Sequence, residues 1–134
     1  QKNINKLKNC KSFAVVRNPY SKFVSSINYC NLTNEQLLKL YDNNLELTRH
    51  DQIHITRTQT DALSINNEFF ADKIINFESL HDVAEFFRSH GYDINIPVCN
   101  VTENKNLKLD RTMIQYVNKT FAADFKHFGY KFEE

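Results

Sequence analysis

The chain has 134 residues, of which 41% are hydrophobic and 25% charged, and its formal net charge is +1. This length and composition predict one globular domain, residues 1–134, with a modest core. The balanced charge argues against a general nucleic-acid binder or a membrane-surface binder, because either would carry a basic excess. No apolar run reaches the length of a transmembrane helix, and no signal peptide is visible.

Cysteine usage indicates thiols rather than a scaffold of disulfides. The three cysteines, Cys10, Cys30 and Cys99, are an odd number without Cys-x-x-Cys spacing. They predict reduced, partly buried side chains, with one Cys pair plus a free thiol as the alternative, and no metal site. Three Asn-x-Ser/Thr triplets have the pattern of glycosylation acceptors, a pattern that so many Asn residues also produce by chance. They begin at Asn31, Asn100 and Asn118.

The stretch from residue 13 to residue 29 predicts a strand–turn–helix corner. Phe13–Val16 is a short apolar run typical of a buried strand. In the predicted helix Pro19–Tyr29, apolar residues recur at the spacing of one helical face, and Pro19 suits the first helical position. An open helix N-terminus offers unpaired N–H groups and the positive end of the helix dipole. The carboxyl end of such a strand is where α/β proteins bind phosphate.

Two side chains favour an anion site at this corner. Arg17 follows the strand directly, and its planar guanidinium can grip a phosphate through two hydrogen bonds. Ser25 lies about two turns into the helix, where its hydroxyl can donate to the same anion. The alternative is a core strand whose Arg17 pairs with a carboxylate.

The segment Phe13–Ser26, with the sequence FAVVRNPYSKFVSS, resembles the 3′-phosphate-binding motif of sulfotransferases that use 3′-phosphoadenosine 5′-phosphosulfate (PAPS). The similarity is to the carbohydrate, Golgi-type branch, sulfotransferase family 2. Those enzymes carry an Arg-Asp/Asn-Pro triplet after a strand and a Ser at the spacing that separates Arg17 from Ser25. The resemblance implies that Arg17 and Ser25 hold the 3′-phosphate of PAPS or of its product PAP. Asn18 is a further candidate contact to the nucleotide.

The region after the corner predicts one capped helix and then a polar loop. Thr33 and Gln36 have the spacing of a capping box, and Leu37, Leu38 and Tyr41 are the expected buried stripe of the helix. Residues 45–64 predict a polar loop with a short helix after Thr60.

Residues 57–61, RTQTD, are similar to an Arg-Pro-Gln-Thr-Asp segment of carbohydrate sulfotransferases. A His usually precedes that segment, which makes His54 the one candidate catalytic residue of this chain. Two features depart from the family pattern: Thr58 replaces the Pro, and His54 lies further upstream than the family's His. A solvated loop side chain is the alternative for His54.

A second strand is predicted within residues 69–78, centred on Lys73–Phe77, and it resembles a family strand that ends in Phe-Glu. Ser79 is the expected cap of the following helix, whose apolar face includes Val83 and Phe87 and which ends at Gly91. The polar region after it contains an Asn-Val-Thr stretch resembling one that lies near the nucleotide in the family. Asn100 and Lys105 are therefore candidate donor contacts, with a solvated loop as the alternative.

Asp110 is the expected cap of a last helix that carries an apolar stripe as far as Phe128. The ending from Phe121 to Tyr130 resembles the C-terminal helix of the family, and Gly129 is the expected helix end.

One half of the family's site has no counterpart here. Sulfotransferases cradle the 5′-phosphosulfate in a Lys- and Gly-containing loop, physically an anion nest at a helix N-terminus. No Lys-x-Gly-x-Thr/Ser stretch precedes Ser12, and the two glycines of the chain, Gly91 and Gly129, are at predicted helix ends. A missing N-terminal segment or a second chain could complete the site. The first residue, Gln1, indicates a processed product or a fragment.

The resemblance implies the α/β class: a partial P-loop-like sulfotransferase fold, with a short parallel sheet flanked by helices. The chain would be the C-terminal part of the family fold. The implied function is transfer of a sulfuryl group from PAPS to a hydroxyl of a carbohydrate-type acceptor. One alternative is a truncated, non-catalytic homologue that binds PAP or PAPS or serves as an interaction module; another is an unrelated α/β interaction domain. The compartment would be the cytoplasm for a microbial or viral chain and the Golgi lumen for an animal fragment.

Overall fold

The computed structural model describes residues 10–97 and 109–134, which form a mixed α/β fold. Its elements in chain order are β1 (Phe13–Val16), α1 (Pro19–Cys30), α2 (Asn34–Tyr41), α3 (Arg49–Ile55), α4 (Gln59–Leu63), β2 (Ser64–Ile65), β3 (Glu68–Phe69), β4 (Lys73–Asn76), a 3₁₀ turn (Phe77–Ser79), α5 (His81–Ser89), α6 (Arg111–Thr120) and α7 (Ala122–Phe128). Within these ranges no helix has the length and apolar character needed to cross a membrane.

The expected short parallel sheet is present. Strands β1 and β4 pair in parallel, in a register that runs from Phe13 opposite Lys73 to Val16 opposite Asn76. Just before the strands, the backbone N–H and the hydroxyl of Ser12 each donate to the Asp72 carboxylate at 2.8 Å. These bonds join the two chain segments at the amino ends of β1 and β4, so both carboxyl ends reach the same edge of the sheet.

Helices supply most of the core. The apolar face of α1 is buried as expected, with Tyr20, Phe23 and Ile27 at most 2% exposed. These side chains pack with buried residues from four other helices: Leu37, Leu40, Ile55, Met113, Val117, Phe121 and Phe125. Because α1 begins where β1 ends, packing of this one helix fixes the position of the corner.

Helix α2 confirms one prediction and corrects another. Thr33 and Gln36 form the capping box, with the side chain of each residue accepting from the backbone N–H of the other. In the apolar stripe, however, Leu38 is 62% exposed and Leu40 is buried instead. The helix faces the core along Leu37 and Leu40, an i, i+3 pair, so the adjacent Leu38 is turned towards solvent.

Three further expectations about local structure were wrong. Within residues 45–64, α4 matches the short helix expected near Thr60, but α3 lies where a loop was predicted. Ser79 does not cap α5, since it ends the 3₁₀ turn and α5 begins without a side-chain cap. The predicted last helix is two helices, α6 and α7, separated at Phe121. Asp110 does cap α6, and Gly129 ends α7 with a left-handed backbone, φ 73°.

Candidate functional site

The corner between β1 and α1 is formed as predicted, but its helix N-terminus is only partly open. The Asn18 side chain accepts a hydrogen bond from the Tyr20 N–H at 2.9 Å, and Pro19 occupies the start of the helix. Asn18 therefore acts as the N-cap of α1. The expectation of free N–H groups at this end is corrected in part, because the cap satisfies one of them.

The backbone of Arg17 is held by the side chain of Gln59. The Arg17 N–H donates to Gln59 Oε1, and Gln59 Nε2 donates to the Arg17 carbonyl, both at 2.8 Å. The side-chain amide thus pairs with Arg17 much as a neighbouring strand would. Gln59 is the first residue of α4 and belongs to the RTQTD segment. This segment therefore contacts the Phe13–Ser26 segment directly, through Arg17.

A fully buried carboxylate holds Gln59 in turn. Asp124, in α7, has 0% exposure. Its oxygens accept from the backbone N–H groups of Gln59 at 2.9 Å and Thr60 at 2.8 Å, and from the Thr60 hydroxyl at 2.8 Å. Buried carboxylates need such partners, because an unsatisfied charge in the interior is costly. Asp124 thus satisfies the first two N–H groups of α4, whose N-cap is Thr58.

Glu78 and Tyr130 hold the other side of the corner. Glu78 accepts from the Asn18 N–H at 3.0 Å and from the Tyr130 hydroxyl at 2.8 Å. Burial alone would raise the pKa of Glu78, but these two donors and the charge of Arg17 outweigh it and lower the pKa below its ordinary value. The same carboxylate and burial raise the pKa of Tyr130. The backbone of the corner is therefore fixed from two directions by side chains distant in sequence.

The Arg17 side chain itself keeps hydrogen-bonding capacity. Its guanidinium carbon lies 4.8 Å from the centre of the Phe77 ring, and its Nε is buried without a hydrogen-bond partner among the described residues. Arg17 forms no ion pair with any carboxylate in residues 10–97 and 109–134. The described residues therefore do not form the Arg17–carboxylate ion pair that was the alternative to an anion site. The oxygen of a bound oxyanion could accept a hydrogen bond from this unpartnered Nε–H of the Arg17 cation.

Ser25 lies in the middle of α1 and is half-buried. At 1.5 Å per residue it is about 9 Å along the helix axis from Pro19, on the same face as Lys22. Lys22 donates from Nζ to the carbonyls of His54 and Arg57 and lies 4.7 Å from the centre of the Phe121 ring. Burial lowers the pKa of Lys22, and the charge of Asp124 offsets part of this effect.

His54 is placed with other rings rather than with Arg17. Its imidazole lies 4.9 Å from the Tyr29 ring and 4.6 Å from the His50 ring, centre to centre. Tyr29 is near the C-terminal end of α1, about 15 Å along the helix axis from Pro19. Geometry therefore groups His54 with Tyr29 and His50. The remaining nucleotide candidates, Asn100 and Lys105, lie outside the described residues.

An open groove begins beside Arg17. Phe77, which carries the Arg17 guanidinium on its ring, also lines this groove of about 580 Å³. The other lining side chains are largely apolar and include two basic groups: Leu80, His81, Ala84, Arg88, Ile94, Asn95, Ile96 and Pro97. The volume lies within the range of small-molecule sites, and an apolar floor with a few basic groups suits an aromatic base attached to phosphate.

Sequence reasoning missed the residues that support the corner. Gln59 was expected only to shape a loop near the donor or acceptor cleft, and Thr60 was only part of the similar RTQTD segment. Glu78 was identified only as the end of a similar strand, and Asp124 and Tyr130 only as part of a similar C-terminal ending. The one physical signal was Asp124, an acidic residue inside the apolar stripe of the last helix, where a charge needs a buried partner. Comparison with known proteins finds no family model, no curated protein and no solved structure that matches this chain.

Proposed function

We propose that this chain carries the 3′-phosphate half of a PAPS-dependent sulfotransferase, which transfers a sulfuryl group to a hydroxyl of a carbohydrate-type acceptor. The observation that carries the proposal is the Arg17 guanidinium: it follows a parallel strand, lies on the Phe77 ring and has a buried Nε without a described partner. A phosphate would satisfy this donor and add a second hydrogen bond from the same planar group.

In this proposal the corner positions the donor rather than performing the chemistry. Arg17 and Ser25 bind the 3′-phosphate, and the groove beside Phe77 receives the rest of the nucleotide. Binding energy from this remote phosphate aligns the sulfuryl group for in-line attack by the acceptor hydroxyl. As the acceptor oxygen bonds to sulfur, the bond from sulfur to the 5′-phosphate oxygen breaks, PAP leaves and the hydroxyl proton passes to a base. Donors around the 5′-phosphosulfate would stabilise charge on the moving group, and these donors and the base would come from the part of the site that has no counterpart among the motifs of this chain. Asn18 supports the corner as the cap of α1, and His54 has no assigned step.

The second candidate function is nucleotide binding without transfer. Both glycines of the chain lie just beyond helix C-termini, Gly91 with φ 85° and Gly129 with φ 73°. Neither can form the glycine-bearing anion loop that the 5′-phosphosulfate needs at a helix N-terminus. Val15, in β1, is 40% exposed, so the described residues leave part of the sheet uncovered. The first observation favours binding without transfer for the chain by itself, whereas the exposed strand leaves room for a further segment or a second chain that would complete an active enzyme.

The test is a transfer assay with the whole chain. PAPS labelled in the sulfuryl group is incubated with a desulfated glycosaminoglycan, and label in the polysaccharide is measured for the wild type, Arg17→Ala and Arg111→Ala. Arg111 is an exposed arginine at the start of α6 and serves as the matched control. Transfer that falls about ten- to a hundredfold only in R17A supports the proposal, since a hydrogen bond to a charged group contributes about 1.5–3 kcal/mol. PAP binding without transfer indicates the second candidate, and absence of both overturns the two together.

A further inference from the structure

A second cluster of chemically active side chains lies at the other end of α1. Cys30 is the last residue of α1, and His50 and Asp51 belong to the first turn of α3. The Cys30 sulfur, one His50 ring nitrogen and one Asp51 carboxylate oxygen all lie within 4.8 Å of one another. No step of the proposed sulfuryl transfer uses these residues.

The geometry points to a binding site for a divalent transition metal ion, with Zn²⁺ as the best match, formed by Cys30, His50 and Asp51. Thiolate, imidazole and carboxylate are the three side-chain ligands that Zn²⁺ takes in proteins, at about 2.0–2.3 Å. Neighbouring ligands of a tetrahedral ion at those bond lengths are roughly 3.3–3.8 Å apart. His50 Nδ1 and Asp51 Oδ1 are already 3.5 Å apart.

The surroundings orient two of the three ligands. The Thr48 hydroxyl donates to Asp51 Oδ2 at 2.7 Å, which leaves Oδ1 directed towards His50. The His50 ring packs 4.6 Å from the His54 ring and 5.8 Å from the Tyr29 ring, centre to centre. Such outer contacts fix ligand orientation in metal sites. The His50 side chain is 59% exposed, so an ion can enter from solvent and a fourth position can hold water or a substrate group.

The donor set also favours a transition metal ion, because it offers one sulfur, one nitrogen and one oxygen atom close together. A mixed site with one thiolate and one imidazole suits Zn²⁺ or Co²⁺ better than Mg²⁺ or Ca²⁺, which prefer oxygen ligands.

The experiment titrates the whole reduced chain with Co²⁺, a coloured substitute for Zn²⁺, and records the near-ultraviolet absorption of a Co²⁺–thiolate bond. Variants are Cys30→Ser and His50→Ala, with Cys10→Ser and His81→Ala as controls. Cys10 is exposed, and His81 lies 2.9 Å from the Asp82 carboxylate. The inference predicts a thiolate band in the wild type and both controls, its displacement by Zn²⁺, and no such band in C30S.

Loss of His50 should weaken Co²⁺ binding by more than the ~10–100-fold that loss of an outer contact typically costs. Absence of a thiolate band in the folded wild type overturns the inference, as does a band that persists in C30S or an H50A affinity equal to that of H81A. A circular dichroism spectrum of each variant establishes that it is folded. None of these readouts depends on nucleotide binding, so failure here leaves the proposed sulfuryl transfer untouched.

Discussion

Gln59 is the residue on which the conformation of Arg17 depends most directly. Its amide accepts from the Arg17 N–H and donates to the Arg17 carbonyl, each bond 2.8 Å long. Only Asn and Gln side chains provide a donor and an acceptor in this fixed geometry. Removing the amide leaves two backbone groups of the corner without partners and frees the Arg17 backbone to move.

We expect Gln59→Ala to lower the free energy of unfolding by about 2 kcal/mol, because each part-buried group left unsatisfied costs about 1–3 kcal/mol, reduced here by access of water. Urea denaturation measures this change. Gln115→Ala, at an exposed position of α6, is the control and should change stability by less than about 0.5 kcal/mol. Equal effects of the two substitutions would contradict the role assigned to Gln59.

Glu78 makes the corner sensitive to acid. Despite the opposing effect of burial, donors from Asn18 and Tyr130 and the charge of Arg17 lower the pKa of Glu78 below its ordinary value of 4.5. A carboxyl whose pKa is lower in the folded state contributes stability that is present above pH 4.5 and lost as the pH falls through the folded pKa. The stability of the wild type should therefore decrease more steeply below pH 4.5 than that of Glu78→Gln.

Urea midpoints measured between pH 3 and pH 6 test this expectation, with Glu85→Gln, at an exposed position of α5, as the control. The control should keep the wild-type pH dependence. If E78Q loses stability with acid as steeply as the wild type does, the Glu78 carboxylate does not hold the corner in the way described.

At the scale of elements, α4 depends on a residue far along the chain. It has five residues and no buried side chain, so local propensity and its own packing cannot stabilise it. Its first two N–H groups donate to the Asp124 carboxylate, 64 to 65 residues away in sequence. The start of the helix is held by its local cap, the Thr58 hydroxyl, which accepts from the Asp61 N–H at 2.9 Å, and by the buried acceptor that α7 presents. Gln59 is thereby placed against Arg17.

Asp124→Asn should lower the free energy of unfolding by about 3 kcal/mol, because the amide replaces a carboxylate oxygen with an N–H donor in a site lined by donors. Asp61→Asn, at an exposed position in the first turn of α4, is the matched substitution and should cost only a few tenths of a kcal/mol. Thermal and urea unfolding of the two variants measure the difference. A D124N variant as stable as D61N would show that the buried carboxylate does not hold α4.

At the scale of the whole molecule, four segments that are separate in sequence meet at one corner. Arg17 follows β1, Gln59 begins α4, Glu78 follows β4, and Asp124 and Tyr130 come from the C-terminal part. Each segment also contains one of the motifs on which the proposed sulfotransferase function rests. Their convergence gives those motifs a shared physical role, which is to fix the backbone around one cation.

The sequence predicts the elements whose signals are local and fails where the signal is tertiary. The strand Phe13–Val16, the face of α1 and the capping box at Thr33 follow from residues close to one another in the chain. The sequence indicated the short helix α4, but it could not show that the first N–H groups of α4 donate to Asp124 in α7. The orphaned Nε of Arg17 could not be predicted either, since it depends on which carboxylates other residues have already engaged.

The most direct test of the central claim, that Arg17 serves a 3′-phosphate, is a calorimetric titration of the chain with adenosine 3′,5′-bisphosphate. Adenosine 5′-monophosphate, which lacks the 3′-phosphate, is the comparison ligand, and Arg17→Ala and Arg111→Ala are the comparison proteins. The account predicts that the wild type and R111A bind the bisphosphate at least about tenfold more tightly than the monophosphate, and that R17A loses this preference. Equal affinity for the two nucleotides, or no binding by the folded wild-type chain, would contradict it.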